Sequence, residues 1–231
     1  MKDNLMLLDT HVHTSQVSPC GKVPAEEMIE LYKEAGYGGV IITDHYYKGY
    51  FESLGNRPWE EKIQSFLSGY KAALERGNAL GVKVFLGMEI RFVYGSEDYL
   101  VFGLDEDYLL QNPRLYLYTL EDFRDHIQET GALIFQAHPF RPGLTPAAGN
   151  LLDGMEVHNG NPRHDSGNDR AYNYAKSNGL MMSSGSDSHQ TGDVGRGGII
   201  LPGDIDSMDE LIRWYRQRPS GIEHIYRNDE M

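Results

Sequence analysis

Short apolar runs alternate with amphipathic stretches along this chain, and most of the apolar runs end in histidine or an acidic residue. Leu5–Leu8 is the first candidate strand. Pro24 then opens a helix in which Met28, Leu31, Tyr32 and Ala35 recur at i, i+3, i+4 and i+7, with Gly36 to stop it. Val40-Ile41-Ile42-Thr43 reads as a buried strand that leads into Asp44-His45. Pro58 to Leu80 predicts a longer helix, broken near Gly69 or Gly77. Val82–Phe92, ending near Gly87-Met88-Glu89, and Tyr99–Leu104 read as strands. Thr119-Leu120-Glu121-Asp122 resembles a capping box and opens a helix that ends at Gly131. Ala132–Ala137 runs into His138-Pro139. Met155–His158 and Leu180–Ser184 continue the strands, with a helix between them around Asn168–Ser177. Gly198–Leu201 is the expected last strand and Met208–Arg218 the expected last helix.

Strands separated by helices argue for a parallel sheet with right-handed crossovers. Roughly seven or eight such units close into a barrel more naturally than they stay open, and barrels of this kind place their chemistry where strands end. No repeat, low-complexity tract or linker divides the sequence, so one domain over residues 1–231 is expected.

Composition narrows the function. The 231 residues are 40% hydrophobic and 24% charged, which suits a globular protein with a core. A net charge of −13, with no cluster of Lys and Arg, argues against a long nucleic-acid partner. It also means that a phosphorylated substrate needs local positive charge. The N-terminal apolar run is too short for a signal peptide and no stretch reaches membrane-span length. The lone Cys20 excludes an intrachain disulfide and suits a reducing cytosol, so a cytoplasmic enzyme is the default.

The residues at strand ends carry the chemistry: His11, His13, Asp44, His45, Glu89, His138, Asp187 and His189. His11 and His13 are two apart, so both side chains point to one face of an extended backbone. Asp187-Ser188-His189 repeats that spacing with a carboxylate and an imidazole. Together these ligand types suit zinc, manganese or iron. Each motif alone has a trivial explanation as strand-end polarity; their joint placement does not. His126, His164 and His224 fall in a helix, a Gly/Asn-rich loop and the tail, and read as surface or packing residues.

With D-T-H-V-H-T, I-T-D-H, G-M-E-I, A-H-P and S-G-S-D-S-H in order over nearly its whole length, the chain resembles the PHP family, the polymerase and histidinol phosphatase superfamily. The resemblance implies an α/β fold, a distorted TIM-like barrel of about seven β/α units, and a site for two or three divalent ions. By the same resemblance, His11, His13, Glu89 and Asp187 hold a first ion. Glu89 bridges to a second ion held also by His138, while His45 and His189 hold a third. Two positions depart from the family pattern. Where a further histidine is usual for the third ion, the loop reads Ser18-Pro19-Cys20-Gly21; Cys20 is the nearest ligand-capable residue, or else a small buried thiol. Where a histidine usually serves the second ion, Asp98 stands, with Glu97 and Asp105 as competing acids.

The expected reaction is attack of a metal-activated hydroxide on an ester phosphorus, with no Ser or Cys nucleophile. Asp44 or His189 then orients the nucleophile or assists proton transfer, unless each is structural or a ligand. Arg141 and Arg196 are placed to bind phosphate. His158 either lines the pocket or, the favoured reading, is a hydrogen-bonded strand-end histidine. Tyr46, Tyr47, Tyr50 and Phe51 either wall the substrate or pack under the long helix. Two alternatives stand beside a small-molecule phosphoesterase. One is an amidohydrolase-like C–N or C–O hydrolase, disfavoured because no lysine sits at a strand end and Lys48 lies beyond His45. The other is a non-catalytic PHP-like module, disfavoured because the ligand set is nearly complete and the chain ends soon after the barrel with no polymerase attached.

Overall fold

The computed structural model describes residues 5–203, 205–217 and 225–227. The first apolar run becomes β1 (Leu5–Val12), followed by α1 (Ala25–Glu34), whose buried stripe is Ala25, Met28, Ile29 and Tyr32. Next come β2 (Gly39–Ile42), β3 (His45–Tyr47), α2 (Lys48–Ser53), α3 (Trp59–Phe66) and α4 (Ser68–Leu80). β4 (Lys83–Arg91) and β5 (Asp98–Phe102) precede α5 (Glu106–Gln111) and α6 (Leu120–Ile127). β6 (Leu133–Gln136), β7 (Gly154–Asn159), α7 (Asn168–Asn178), β8 (Met181–Gly185), β9 (Gly197–Pro202), α8 (Met208–Gln217) and β10 (Ile225–Arg227) complete the order. His224 and Arg218, included in the sequence reading, lie outside the described residues.

The sheet runs β10-β9-β1-β2-β4-β5-β6-β7-β8, with β3 paired to β4. β8 comes back beside β1: Val12 and Ser188 form a parallel bridge, His13 N donates to Ser188 O at 3.0 Å, and Ser188 N to His11 O at 3.2 Å. The result is a nearly closed, barrel-shaped α/β sheet, as expected. It is not parallel throughout. β5 is antiparallel to both β4 and β6, and β9 to both β1 and β10. The reason is local: only the turn 92–97 joins β4 to β5, too short for a crossover helix. β3, α2, α5 and β10 are additional to the expected elements, so Gly198–Leu201 does not mark the last strand. The long helix breaks at Leu67, not at a glycine. Gly69 instead lies inside α4, where a Cβ would sit 2.1 Å from Thr14 Oγ1 and 2.7 Å from Asp44 Oδ2.

Leu8, Ile41, Phe85, Leu100, Phe102, Leu133, Phe135, Ile199 and Leu201 converge from six strands into one buried cluster. α8 packs on it through Leu211, Ile212 and Tyr215, the last against the Phe102 and Phe135 rings. This apolar plug makes the strands rigid below the points at which His11, Glu89, His138 and Asp187 leave them. β1 and β7 each carry a register irregularity there, between Asp9 and Val12 and between Glu156 and His158. Such bulges re-aim side chains beside functional sites.

Closure at this end depends on Gly185. A Cβ there would lie 2.4 Å from His11 Cβ and 2.8 Å from His11 N, which is backbone and cannot yield cheaply. Gly185→Ala is therefore expected to destabilise the fold by about 2 kcal/mol or more. Gly192→Ala, with nothing within 4 Å, is expected to stay within about 0.5 kcal/mol of the parent. Chemical denaturation of both variants measures the difference, and equal stability would refute the close-approach argument.

Candidate metal centre

Strand ends place the donors. His11 and His13 rise from the end of β1 and bring their Nε2 atoms to 3.1 Å. Glu89 near the end of β4 lies between four imidazoles. Its Oε1 is 3.4 Å from His11 Nε2 and 3.0 Å from His138 Nε2, and its Oε2 is 3.4 Å from His13 Nε2 and 2.7 Å from His45 Nδ1. Asp187 Oδ1 lies 3.5 Å from His11 Nε2 and 3.3 Å from His13 Nε2. His138 and Asp187 are both non-glycine residues at positive φ, 30° and 51°. Such backbone strain persists only where the surroundings over-determine it.

A buried polar frame fixes the orientation of these rings. His11 Nδ1 lies 2.9 Å from Glu156 Oε1, and His189 Nδ1 lies 2.8 Å from the Asp187 carbonyl. A carboxylate or carbonyl oxygen can only accept, so each Nδ1 carries the proton and each Nε2 presents its lone pair. Ser18 Oγ donates its one proton to Asp44 Oδ1 at 2.7 Å and therefore accepts from His13 Nδ1 at 3.1 Å. Asp44 also accepts from Thr14 N and Thr14 Oγ1, both at 2.7 Å. Asp9 accepts from His11 N, Tyr32 Oη and the Ser186 backbone and hydroxyl. Burial pushes the Asp9 and Asp44 carboxyls up to about 6, against these hydrogen bonds.

The electrostatics require a cation at the focus. The His11 and His13 lone pairs face each other at 3.1 Å and repel unless a proton or metal ion lies between them. Burial alone would lower His11, yet the Glu156, Asp187 and Glu89 charges raise it well above the usual range. Burial and the neighbouring His45 and His189 push His13 well below it. Burial opposes charge on Glu89, but His45 and His11 hold its carboxyl well below the carboxylate range. Asp187 behaves likewise through His11, His13 and Arg141. One tetrahedral zinc ion with bonds of about 2.0–2.1 Å separates its ligand atoms by roughly 3.3 Å. The separations of 3.1–3.5 Å from His11 and His13 Nε2 to each other, to Asp187 Oδ1 and to one or other oxygen of Glu89 are close to that edge. Beside the overlapping sets His11, His13, Glu89 and His11, His138, Asp187, a second donor group is Glu89, Asp98 and His138 and a third is His13, His45 and His189, each set within 4.8 Å. The residues present thus fit divalent metal.

The other expected residues fall in different places. Cys20 stands at the exposed edge of the third group; despite partial burial, hydrogen bonds from His189 and His45 bring its thiol down to about 6. It is neither buried nor remote. Asp98 is in the second group but is also held by Arg91, Nε to Oδ1 at 2.8 Å and Nη2 to Oδ2 at 2.5 Å. Asp44 lies behind the cluster, where its oxygens organise the Thr14–Ser18 loop. Arg141 lines the cleft above the cluster while bonding Asp187, Asn159 Oδ1 at 2.8 Å and Ser166 Oγ. Arg196 does not line the cleft: its Nε caps the Gly192 carbonyl at 2.9 Å. His158 bonds the Arg196 carbonyl and Asn168 Nδ2, as a strand-end histidine. His126 packs on Tyr118, away from the site. His164, expected as an ordinary surface residue, instead lines the cleft mouth because its loop folds back over the carboxyl ends of the strands.

The cleft has a volume of about 380 Å³ and is also bordered by Lys22, Arg91 and Arg163, the last paired with Asp193 at 2.5 and 2.8 Å. Arg91 was readable, because it lies two residues beyond Glu89 on the same strand face. Arg163, in a loop, carried no such signal. Glu156 was also missed, although an acid inside the fully buried strand G-M-E-V-H-N is itself a sign of a polar duty.

Comparison with known proteins follows from this geometry. Residues 165–219 match the family model PHP_C, described as PHP-associated. No curated protein matches the chain. Among solved structures, the chain is similar to a two-domain protein from Bacteroides vulgatus containing a predicted PHP-like metal-dependent phosphoesterase. The TM-score is 0.66 at 17% identity, over 98% of this chain and 66% of that one. It is also similar to a candidate metal-dependent phosphoesterase from Bifidobacterium adolescentis (TM-score 0.57, 18% identity, 94% and 97% coverage). A third similar structure is an amidohydrolase from Chromobacterium violaceum with bound sulfate and no metal (TM-score 0.57, 17% identity, 96% and 98% coverage). These likenesses show the barrel fold.

Glu156 offers a test of the frame. Its Oε1 holds His11, while its Oε2 accepts from His138 N at 2.8 Å and Asn159 Nδ2 at 2.9 Å. Glu156→Gln is expected to weaken metal binding about 10–100-fold, because the amide cannot enforce the His11 tautomer. Competition with a chromogenic chelator measures this; undiminished affinity would mean that His11 does not depend on Glu156.

Proposed function

We propose, on a fold and a C-terminal family match that support membership of the PHP superfamily, that this chain is a metal-dependent phosphoesterase hydrolysing a small phosphorylated substrate, a phosphomonoester or short phosphodiester. The observation that carries the reading is the convergence of four overlapping donor groups on the floor of a cleft bordered by Lys22, Arg91, Arg141 and Arg163, in a chain of net charge −13. Lys22, with the N–H groups that Arg91, Arg141 and Arg163 keep beyond their aspartate pairs, favours an anionic substrate at this mouth of an acidic protein. On this reading the ligand sets are His11, His13, Glu89 and Asp187; Glu89, His138 and Asp98; and His45 and His189 with Cys20. Two or three ions of zinc, manganese or iron would supply a nucleophile at neutral pH and offset charge on the phosphoryl oxygens.

The chain's own residues do the rest. Arg141 links the anion-binding mouth to the donor cluster through Asp187, so substrate position and donor geometry are coupled. His189 lines the cleft with its Nδ1 fixed, and serves either as a ligand or as the group that passes a proton to the departing oxygen. Asp44 acts through Ser18 and His13 as a positioning residue. The small cleft and acidic surface support a small substrate over long nucleic acid. Among the described residues no helix is long and apolar enough to cross a membrane.

Likeness to an amidohydrolase keeps C–N hydrolysis as a second reading. Against it, the one lysine lining the cleft among the described residues, Lys22, comes from the loop after β1 and not from a strand end. The test is a panel of phosphomonoesters, short phosphodiesters and amides, assayed with zinc, manganese or ferrous iron beside a chelated control. Metal-dependent phosphoester turnover is expected, with a loss of about 100-fold or more in the His11→Ala, His13→Ala double variant. Undiminished turnover in that variant, or turnover of amides alone, would overturn the proposal.

A further inference from the structure

The fold divides the four aromatic residues that follow His45. Tyr46, Tyr50 and Phe51 are buried and pack with Phe66 and Tyr116. Tyr47 takes the other direction. Side chains alternate along a strand, so Tyr47 shares the face of His45, with the two rings 6.1 Å apart and nearly perpendicular. Its ring walls a second hollow of about 200 Å³ beside the metal cleft, together with Pro19, Cys20, His45, Arg91 and Asp98. Cys20, His45, Arg91 and Asp98 line both hollows, which makes the second a side chamber of the first.

Strand register explains why the chamber sits there. His45 on β3 is paired with Glu89 on β4; two residues further on, Tyr47 is paired with Arg91, and Arg91 with Asp98 on β5. A second row of side chains thus continues the donor row outward on the same face, about 7 Å further along the strands. Chemically the rows differ. The inner row holds imidazole and carboxylate. The outer row holds an aromatic ring and a guanidinium whose charge is offset by a two-point bond to Asp98. An ion-paired guanidinium presents a flat face suited to stacking, and the tyrosine presents another. No other Tyr, Phe or Trp lines either hollow among the described residues.

We propose that the Tyr47–Arg91 chamber binds the organic part of the substrate, and that it selects a planar aromatic or heteroaromatic group next to the phosphate over an aliphatic one. The proposal rests on the phosphoesterase reading for what occupies the inner row. Arg91 has two duties in it: it fixes Asp98, and beside Tyr47 it supplies a second flat surface to the chamber lining. Tyr47 takes no part in fixing Asp98 and is only partly buried against the core, so it is the residue to vary.

The experiment compares kcat/KM for phenyl phosphate and glycerol phosphate on metal-loaded parent, Tyr47→Leu and Tyr47→Phe proteins. A ratio of two substrates on one preparation is insensitive to the fraction of folded enzyme. In parallel, calorimetry measures binding of the uncleavable phenylphosphonate and methylphosphonate. The expected result is a preference for the phenyl compound that falls about tenfold in Tyr47→Leu and is kept in Tyr47→Phe, in turnover and in binding alike. An unchanged ratio in Tyr47→Leu, or no phenyl preference in the parent, overturns the chamber assignment while leaving phosphoester turnover standing. Hydrolysis of neither substrate, with phenylphosphonate binding still dependent on Tyr47, supports the chamber and overturns the phosphoesterase reading.

Discussion

Glu89 is the point on which the structure turns. Its carboxylate is buried with His11, His13, His45 and His138 around it, in a place where an uncompensated charge would be very costly. Everything nearby can be read as making that burial tolerable. The apolar plug beneath holds β1, β4 and β6 in register, the near-closure of the sheet brings Asp187 back to β1, and Gly185 lets β8 and β1 touch. Glu156 and the Ser18–Asp44 pair then dictate which nitrogen of His11 and of His13 faces inward. Lone pairs and carboxylates aimed at a common focus need cations there, and the separations suit divalent ions better than protons alone.

Much of this could be read from the chain because strand-end chemistry is local. An apolar run followed by D-H, E or H-P states both where a strand stops and what it presents, so His11, His13, His45, Glu89, His138, Asp187 and His189 are legible in the sequence itself. Residues whose position depends on a loop path were not readable in this way. Arg196 follows the S-D-S-H motif closely, yet its loop turns the side chain back onto Gly192; Arg163 and His164, with no motif around them, reach the mouth. Sheet direction was similarly hidden, since antiparallel β5 and β9 carry the same apolar signature as their parallel neighbours. The Pro58–Leu80 helix breaks at Leu67, and Gly69 serves close approach to Thr14 and Asp44 instead of a turn.

The aromatic run after His45 shows how little separates core from site. One step along β3 decides that Tyr46 belongs to the packed interior and Tyr47 to the cleft. The same two-residue period that sets His11 beside His13 sets Arg91 beyond Glu89 and Tyr47 beyond His45. The barrel end is therefore layered, with metal-type donors inside and a flat, charge-balanced pair outside, and the sequence spacing is enough to generate both layers once the strand register is known.

On the proposed reading, His11, His13, Glu89 and Asp187 share one metal ion. Crystals grown with zinc, with diffraction recorded on either side of the zinc absorption edge, test it most directly. The account predicts an anomalous difference peak within bonding distance of all four side chains, with further peaks beside His138 or His189 where a second or third ion is held. A fully ordered cluster with no anomalous peak among those four side chains would contradict it.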